Sequence, residues 1–307
     1  MDLSIQLAPK HRKGLLLANP VMTASGTFGY GIEYNQLFDI QKLGAIVCKG
    51  TTLESREGNP QPRIAETPYG VLNSIGFQNI GVKALITEKT PTWAKWRVPV
   101  IVNITGNTTE DFARLAGELD GVAGISGIEV NISCPNLKTG GLAFGTNPDS
   151  AAEVVTAVKS ATALPVLVKL TPNTDRIAQI AVVVAEAGAD ALTVVNTLKG
   201  IAIDITQRKP LLGNIVGGLS GPAIKPVALY MVYEVAGVVD IPIIGCGGIT
   251  TATDAIEFFM AGASAVQVGA ASFVSPRTSL DVVTGIEQFM QQEGLNRLSE
   301  IIGVARC

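Results

Sequence analysis

Short apolar runs rich in β-branched residues alternate with stretches of helical periodicity along this chain. The runs occupy 20–25, 45–49, 98–104, 127–133, 165–170, 191–196, 241–247 and 265–269. Segments such as VPVIVNI, PVLVKL, ALTVVN, IPIIG and AVQVG are almost continuously apolar rather than alternating, as expected of strands covered on both faces. Helix-start signals lie between them. Thr108 opens TTEDFARLAGEL, with acids in the first turn. Asn147 precedes Pro148 at the head of PDSAAEVVTAVKSA, where proline suits the first helical position. Thr250 or Thr251 opens TATDAIEFFMAGA, which stops near Gly262, and Thr174 opens the helix holding IAQIAVVVAEAG. Strand–helix alternation repeated eight times predicts an α/β fold of the (β/α)8 TIM-barrel type rather than an open doubly wound sheet, in one domain spanning 1–307.

Three kinds of excursion exceed the minimal repeat. Residues 3–17 read as an N-terminal β-hairpin that caps the bottom of the barrel. Residues 50–77 and 197–222 read as long loops inserted after strands 2 and 6, and 134–147 as an insertion after strand 4. All three insertions follow strand C-termini, the catalytic face of such barrels, and loops of that length are usually functional.

Composition narrows the picture. The 307 residues are 47% hydrophobic and 16% charged, which suits a large buried core. A net charge of −3 and the lack of basic runs give no reason to expect a nucleic-acid or anionic-membrane partner. No apolar run is long enough to predict a membrane span, and MDLSIQLAPKHRKG does not read as a secretory signal. Cys48, Cys134, Cys246 and Cys307 are widely spaced, so neither a disulfide framework nor a cysteine-bound metal is expected, and the reading is a reduced, cytoplasmic protein. The one histidine, His11, stands between Lys10 and Arg12, which discounts Ser–His and Cys–His catalysis and histidine metal sites.

Candidate chemistry collects where the apolar runs stop: Ser25, Lys49, Asn103, Asn131, Lys169, Asn196, and glycines near 247 and 269. A strand-end asparagine can be a mere turn former. A lysine ending a buried strand is different, because a buried cation requires an anionic partner or a lowered pKa. GCGGIT (245–250) and VGAAS (268–272) place glycines after the last two strands, where backbone N–H groups and a helix N-terminus can meet a phosphate; ordinary tight turns are the bland alternative. Cys48 and Cys246 lie in apolar runs and read as inert buried thiols, and Cys307 as incidental. Cys134 sits in the glycine-bearing loop NISCPNLKTGG on the catalytic face. A thiol can titrate close enough to neutrality to act as a base, whereas a nucleophilic cysteine would normally want an imidazole.

At these residues the chain resembles a known family. NPVMTASGTFGYG (19–31), KGTTLESREGNPQPRIAETPYGVLNSIGFQNIG (49–81), NISCPN (131–136), VVNT (194–197) and GCGGI (245–249) are similar to the dihydroorotate dehydrogenases, most closely to catalytic subunits of class 1B. The resemblance implies an FMN-containing barrel that oxidises (S)-dihydroorotate to orotate, with Cys134 as general base. It implies substrate contacts from Lys49, Asn73, Ser74, Ile75, Gly76, Phe77, Asn131, Asn136, Asn196 and Thr197. It implies FMN contacts from Ser25, Lys49, Gly50, Asn103, Asn131, Lys169, Val195 and Gly221, with Gly247, Gly248, Gly269 and Ala270 at the phosphate. Class 1B further implies a partner subunit carrying FAD and a [2Fe–2S] cluster, electrons passed to NAD⁺, and a homodimer core within a heterotetramer. A class 1A homodimer reducing fumarate fits the absence of cofactor motifs equally well. Two rival readings stay open here: a Schiff-base lyase using Lys49 or Lys169, and a noncatalytic flavin-binding or assembly subunit.

Overall fold

The computed structural model describes residues 1–133, 135–136 and 142–306, and among these eight parallel strands close on themselves as a (β/α)8 TIM barrel. They are β1 (Val21–Thr23), β2 (Ala45–Val47), β3 (Val100–Ile104), β4 (Gly127–Asn131), β5 (Val166–Lys169), β6 (Ala191–Val194), β7 (Ile243–Cys246) and β8 (Ala265–Val268). Each lies within one of the apolar runs, and β8 closes the ring by pairing Val266 with Val21. Helices α1 (Gly81–Glu88), α2 (Thr109–Leu119), α3 (Pro148–Ala161), α4 (Ile177–Glu186), α5 (Lys225–Val235), α6 (Ala252–Ala261) and α7 (Thr278–Gln292) follow β2 to β8 in turn.

The predicted caps form. Thr108 and Thr251 each accept from the backbone N–H three residues on, within full capping boxes. Asn147 caps α3 ahead of Pro148, and Gly262 ends α6 in the left-handed conformation at φ 119°. Thr174 does not cap α4. Its Oγ1 accepts from Arg176 N at 3.2 Å, a local turn that delays the helix to Ile177.

The eightfold alternation fails at the first crossover. Two 3₁₀ turns, Tyr34–Gln36 and Ile40–Lys42, stand where the first helix was expected. Gly26, Gly29 and Gly31 all take positive φ there, and a chain so rich in glycine gains little from a helix. Packing replaces it: Phe28 stacks on Tyr34 at 3.9 Å between ring centroids, within a cluster that includes Phe38, Ile40 and Leu43.

Alternate residues of each strand point into the barrel. At its lower end Met22, Ala45, Ile101, Leu167, Ala191, Ile244 and Ala265 form one apolar cluster. Leu7, Leu15 and Leu17 join that cluster from the N-terminal hairpin, whose strands Ile5–Gln6 and Leu16–Leu17 pair antiparallel. The hairpin therefore closes the bottom, as its pattern suggested.

The insertions after β2 and β6 are not loops throughout. Ile64–Thr67 and Gly70–Asn73 form a hairpin, and Gly217–Ser220 pairs with Gly70–Asn73 on one side and Leu198–Gly200 on the other, giving a four-stranded antiparallel sheet. Glycine permits the pairing: a Cβ on Gly217 would lie 2.7 Å from the Asn73 carbonyl oxygen. In the insertion after β4, Pro135–Asn136 pairs antiparallel with Leu142–Ala143. No helix among the described residues is long and apolar enough to cross a membrane.

Gly245 of β7 shows how tightly helix and strand pack. A Cβ there would stand 2.4 Å from Cδ1 of Phe258, which is fully buried on α6. Gly245→Ala should destabilise the fold by about 1–3 kcal/mol through overpacking. Chemical denaturation measures this, and an unshifted midpoint would show that α6 yields freely.

Candidate active site

A cavity of about 820 Å³ opens at the C-terminal ends of the barrel strands, beside the four-stranded sheet. Its floor is polar. Directly above the apolar plug, Glu129 of β4, Thr193 of β6 and Gln267 of β8 point inward, all fully buried or nearly so. Glu129 Oε1 accepts from Asn103 Nδ2 at 2.8 Å; its Oε2 accepts from Thr193 Oγ1 at 2.9 Å and from Gln267 Nε2 at 2.6 Å. Lys169 Nζ donates to Gln267 Oε1 at 3.1 Å and lies 3.7 Å from Cys246 Sγ. Burial works against the Lys169 charge, but the Cys246 sulfur and the Glu129 carboxylate outweigh it, and the pKa stays above the ordinary lysine value. Lys169 thus has its partners within the barrel floor, in Gln267 and Cys246.

The buried thiols are poor bases. Burial pushes Cys48 up to about 12 and raises Cys246 as well. Cys246 is nevertheless not merely packing, since it lines the cavity against Lys169.

Above the floor, amides gather. Asn196 Nδ2 donates to Asn131 Oδ1 at 3.2 Å and to Ser133 Oγ at 3.0 Å, while Asn196 Oδ1 accepts from Thr197 N at 2.8 Å. Opposite them runs 73–77. Asn73 Nδ2 bonds the Gly218 carbonyl, and Ser74 Oγ accepts from Asn59 and Asn214. Gly76 and Phe77 both take positive φ, turning the chain back toward Gly50. Lys49 stands between these walls. Burial, reinforced by Arg63, pulls its pKa below the ordinary lysine value, and Glu33 opposes this only in part. Among the described residues its ammonium has no hydrogen-bond or ion-pair partner, so an anionic ligand group would complete it.

The remaining wall is backbone. Gly247 (φ 136°) and Gly248 (φ 74°) turn the chain from β7 into α6, and Gly269 and Ala270 follow β8. With Ser25, Val195 and Gly221 they border the same cavity. Asp254 holds the first turn in place: it accepts from Thr250 N at 2.9 Å, Thr251 N at 2.8 Å and Lys225 Nζ at 2.7 Å.

The candidate substrate- and cofactor-binding residues whose side chains are described all line this cavity. Cys134 lies outside the described residues, and Asn136 is placed only by its backbone, opposite Leu142. Sequence reading missed Glu129, Thr193, Gln267 and Asp254. The signal for the first three was present: an ionisable or polar residue at the centre of an otherwise apolar run, as in GIEVNIS, ALTVVN and AVQVG.

A closed barrel with a polar, cation-floored cavity at the C-terminal ends of its strands is the architecture of a barrel enzyme. The family model described as dihydroorotate dehydrogenase matches residues 9–290. The chain is 54% identical over 306 residues to a protein of Pelobacter propionicus, covering 100% of this chain and 99% of that one. It is 57% identical over 289 residues to one of Desulforamulus reducens (94% and 95% covered) and 52% over 302 residues to one of Geotalea uraniireducens (98% and 97%). All three carry the name dihydroorotate dehydrogenase B (NAD(+)), catalytic subunit. This chain belongs to the dihydroorotate dehydrogenase family.

Asp254 makes the glycine turn acid-sensitive. Burial disfavours its charge, but hydrogen bonds from Lys225, Thr250 and Thr251 prevail and hold its carboxyl below the ordinary 3.8. A depressed folded pKa gives stability that is complete above the unfolded value and lost as pH falls through the folded one. Asp254→Asn should therefore lower the melting temperature at about pH 7 and show a smaller further loss at about pH 3 than wild type. Calorimetry at the two pH values checks this; parallel losses in both proteins would contradict it.

Proposed function

We propose that this chain oxidises (S)-dihydroorotate to orotate with FMN as its resident cofactor, as the catalytic subunit of an assembly that delivers electrons to NAD⁺. The observation that carries the reading is the pairing of two unlike surfaces in one cavity. One is rich in backbone N–H groups and floored by a fixed cation. The other combines amides with Lys49, whose ammonium has no hydrogen-bond or ion-pair partner among the described residues.

The residues suit FMN. Gly247 and Gly248, both at positive φ, turn the chain after β7, Gly269 and Ala270 follow β8, and all four border the cavity, where their backbone would meet a phosphate. Ser25, Gly50, Asn103, Asn131, Val195 and Gly221 would flank the rest of the cofactor, with Lys169 supplying positive charge to the ring. When bound, FMN supplies the two-electron acceptor for the hydride leaving C6 of the substrate.

The remaining steps belong to this chain. Lys49 pairs with the substrate carboxylate. Asn73 through Phe77 and Asn131, Asn136, Asn196 and Thr197 match the alternating N–H and C=O groups of the pyrimidine ring, orienting it and excluding water. Cys134, as the thiolate, takes the proton from C5 as the C5=C6 double bond forms. It is the base in this reading because of its place in the loop after β4 and the family resemblance, while burial raises the pKa of the Cys48 and Cys246 thiols and makes them poorer candidates. The relatives' names support the NAD⁺-linked route and a second subunit. We extend this to a partner bearing FAD and a [2Fe–2S] cluster, around a homodimer of this chain in a cytoplasmic heterotetramer.

Dihydroorotate added anaerobically to the purified protein should bleach bound flavin, and a co-purified partner should confer NAD⁺ reduction. Cys134→Ala should slow the bleaching by roughly 10²–10⁴ while FMN stays bound. Loss of FMN from that variant would make Cys134 structural instead, and unchanged bleaching would remove it as the base.

A further inference from the structure

Charge forces the orientation of two buried amides around Glu129. An ionised carboxylate offers only acceptors, so Asn103 turns Nδ2 and Gln267 turns Nε2 toward it. Each amide then shows its oxygen on the far side. Gln267 Oε1 receives Lys169 Nζ. Asn103 Oδ1 faces the cavity wall, 3.1 Å from where a Cβ on Gly50 would stand, and no donor among the described residues reaches it. It is an acceptor held open.

We infer that Glu129 is a positioning residue: by fixing the Asn103 amide it makes the cavity present an acceptor, rather than a donor, to an N–H group of the bound cofactor ring. The inference rests on the FMN reading above. Glu129 itself touches no ligand, since it is fully buried beneath Asn103, Thr193 and Gln267, with Lys169 and Cys246 next to them.

The isosteric change Glu129→Gln exposes the device. One carboxylate oxygen becomes an NH₂. Gln267 cannot reverse to accommodate it, because its own NH₂ would then face the Lys169 ammonium. The new NH₂ is therefore directed at Asn103, which must turn over and show a donor to the cavity, where donor meets donor. Adding Asn103→Asp cures this: one oxygen of the new carboxylate accepts from the introduced NH₂, and the other restores an acceptor to the cavity. The double variant also keeps one negative charge in the network.

The test strips FMN from wild type, E129Q and E129Q/N103D and titrates it back, following flavin fluorescence, with melting curves as the check on folding. E129Q should bind FMN roughly 10- to 100-fold more weakly, as for a buried polar group left unpaired. The double variant should recover most of that loss, which a general loosening of the barrel would not do. If E129Q does not fold, the double variant decides alone: folding with FMN bound supports the inference. Wild-type affinity in E129Q, or a double variant that is unfolded or binds no better than E129Q, overturns it and leaves the cofactor reading standing. A wild-type protein that takes up no FMN removes both.

Discussion

A carboxylate and an ammonium share the interior of this barrel, and neither could be there alone. Taking either ion out of water costs several kcal/mol, so each must be met by hydrogen bonds from groups that are themselves fixed. Glu129 and Lys169 do not touch. The Gln267 amide stands between them, accepting from one and donating to the other. Asn103, Thr193 and Cys246 complete the set, so six strands, β3 to β8, each contribute one inward side chain. A one-residue slip in any of these strands would turn its contribution outward and strand a charge. The same network that floors the site thus also holds the strands in register.

The two cavity lysines look alike as sequence, each ending an apolar run. Their surroundings separate them. Lys169 finds its hydrogen-bond partner within the protein, in Gln267, and the Glu129 carboxylate nearby favours its charge. Lys49 has only a partial, distant offset from Glu33 and no hydrogen-bond or ion-pair partner among the described residues, so it can receive an anion from outside. In the function proposed above, one cation would serve the resident group and the other the transient one.

Much of the barrel was legible because its determinants are local. Apolar runs mark the strands, and Thr108, Asn147 and Thr251 cap helices through groups three residues away. The lining of the cavity was legible because polar residues and glycines end the buried strands at one face of the barrel. What escaped was non-local. The sheet over the mouth joins segments far apart in sequence, and Gly70, Gly217 and Gly218 disguise its strands. Glu129 was hidden by its own neighbours, since one charge in GIEVNIS does not disturb an apolar pattern. The first crossover misled because alternation elsewhere suggested a helix that Gly26, Gly29 and Gly31 do not favour.

That sheet also has a bearing on how the protein comes into being. Asn73 finds the Gly218 carbonyl 145 residues later in the chain. Contacts so distant must wait for the intervening barrel units to collapse before the entropy of closing the loop is repaid. During synthesis Lys49 is made early, but the wall that faces it cannot assemble until two thirds of the polypeptide has emerged. A truncated or stalled chain would therefore carry many of the reactive side chains without an enclosure in which to use them.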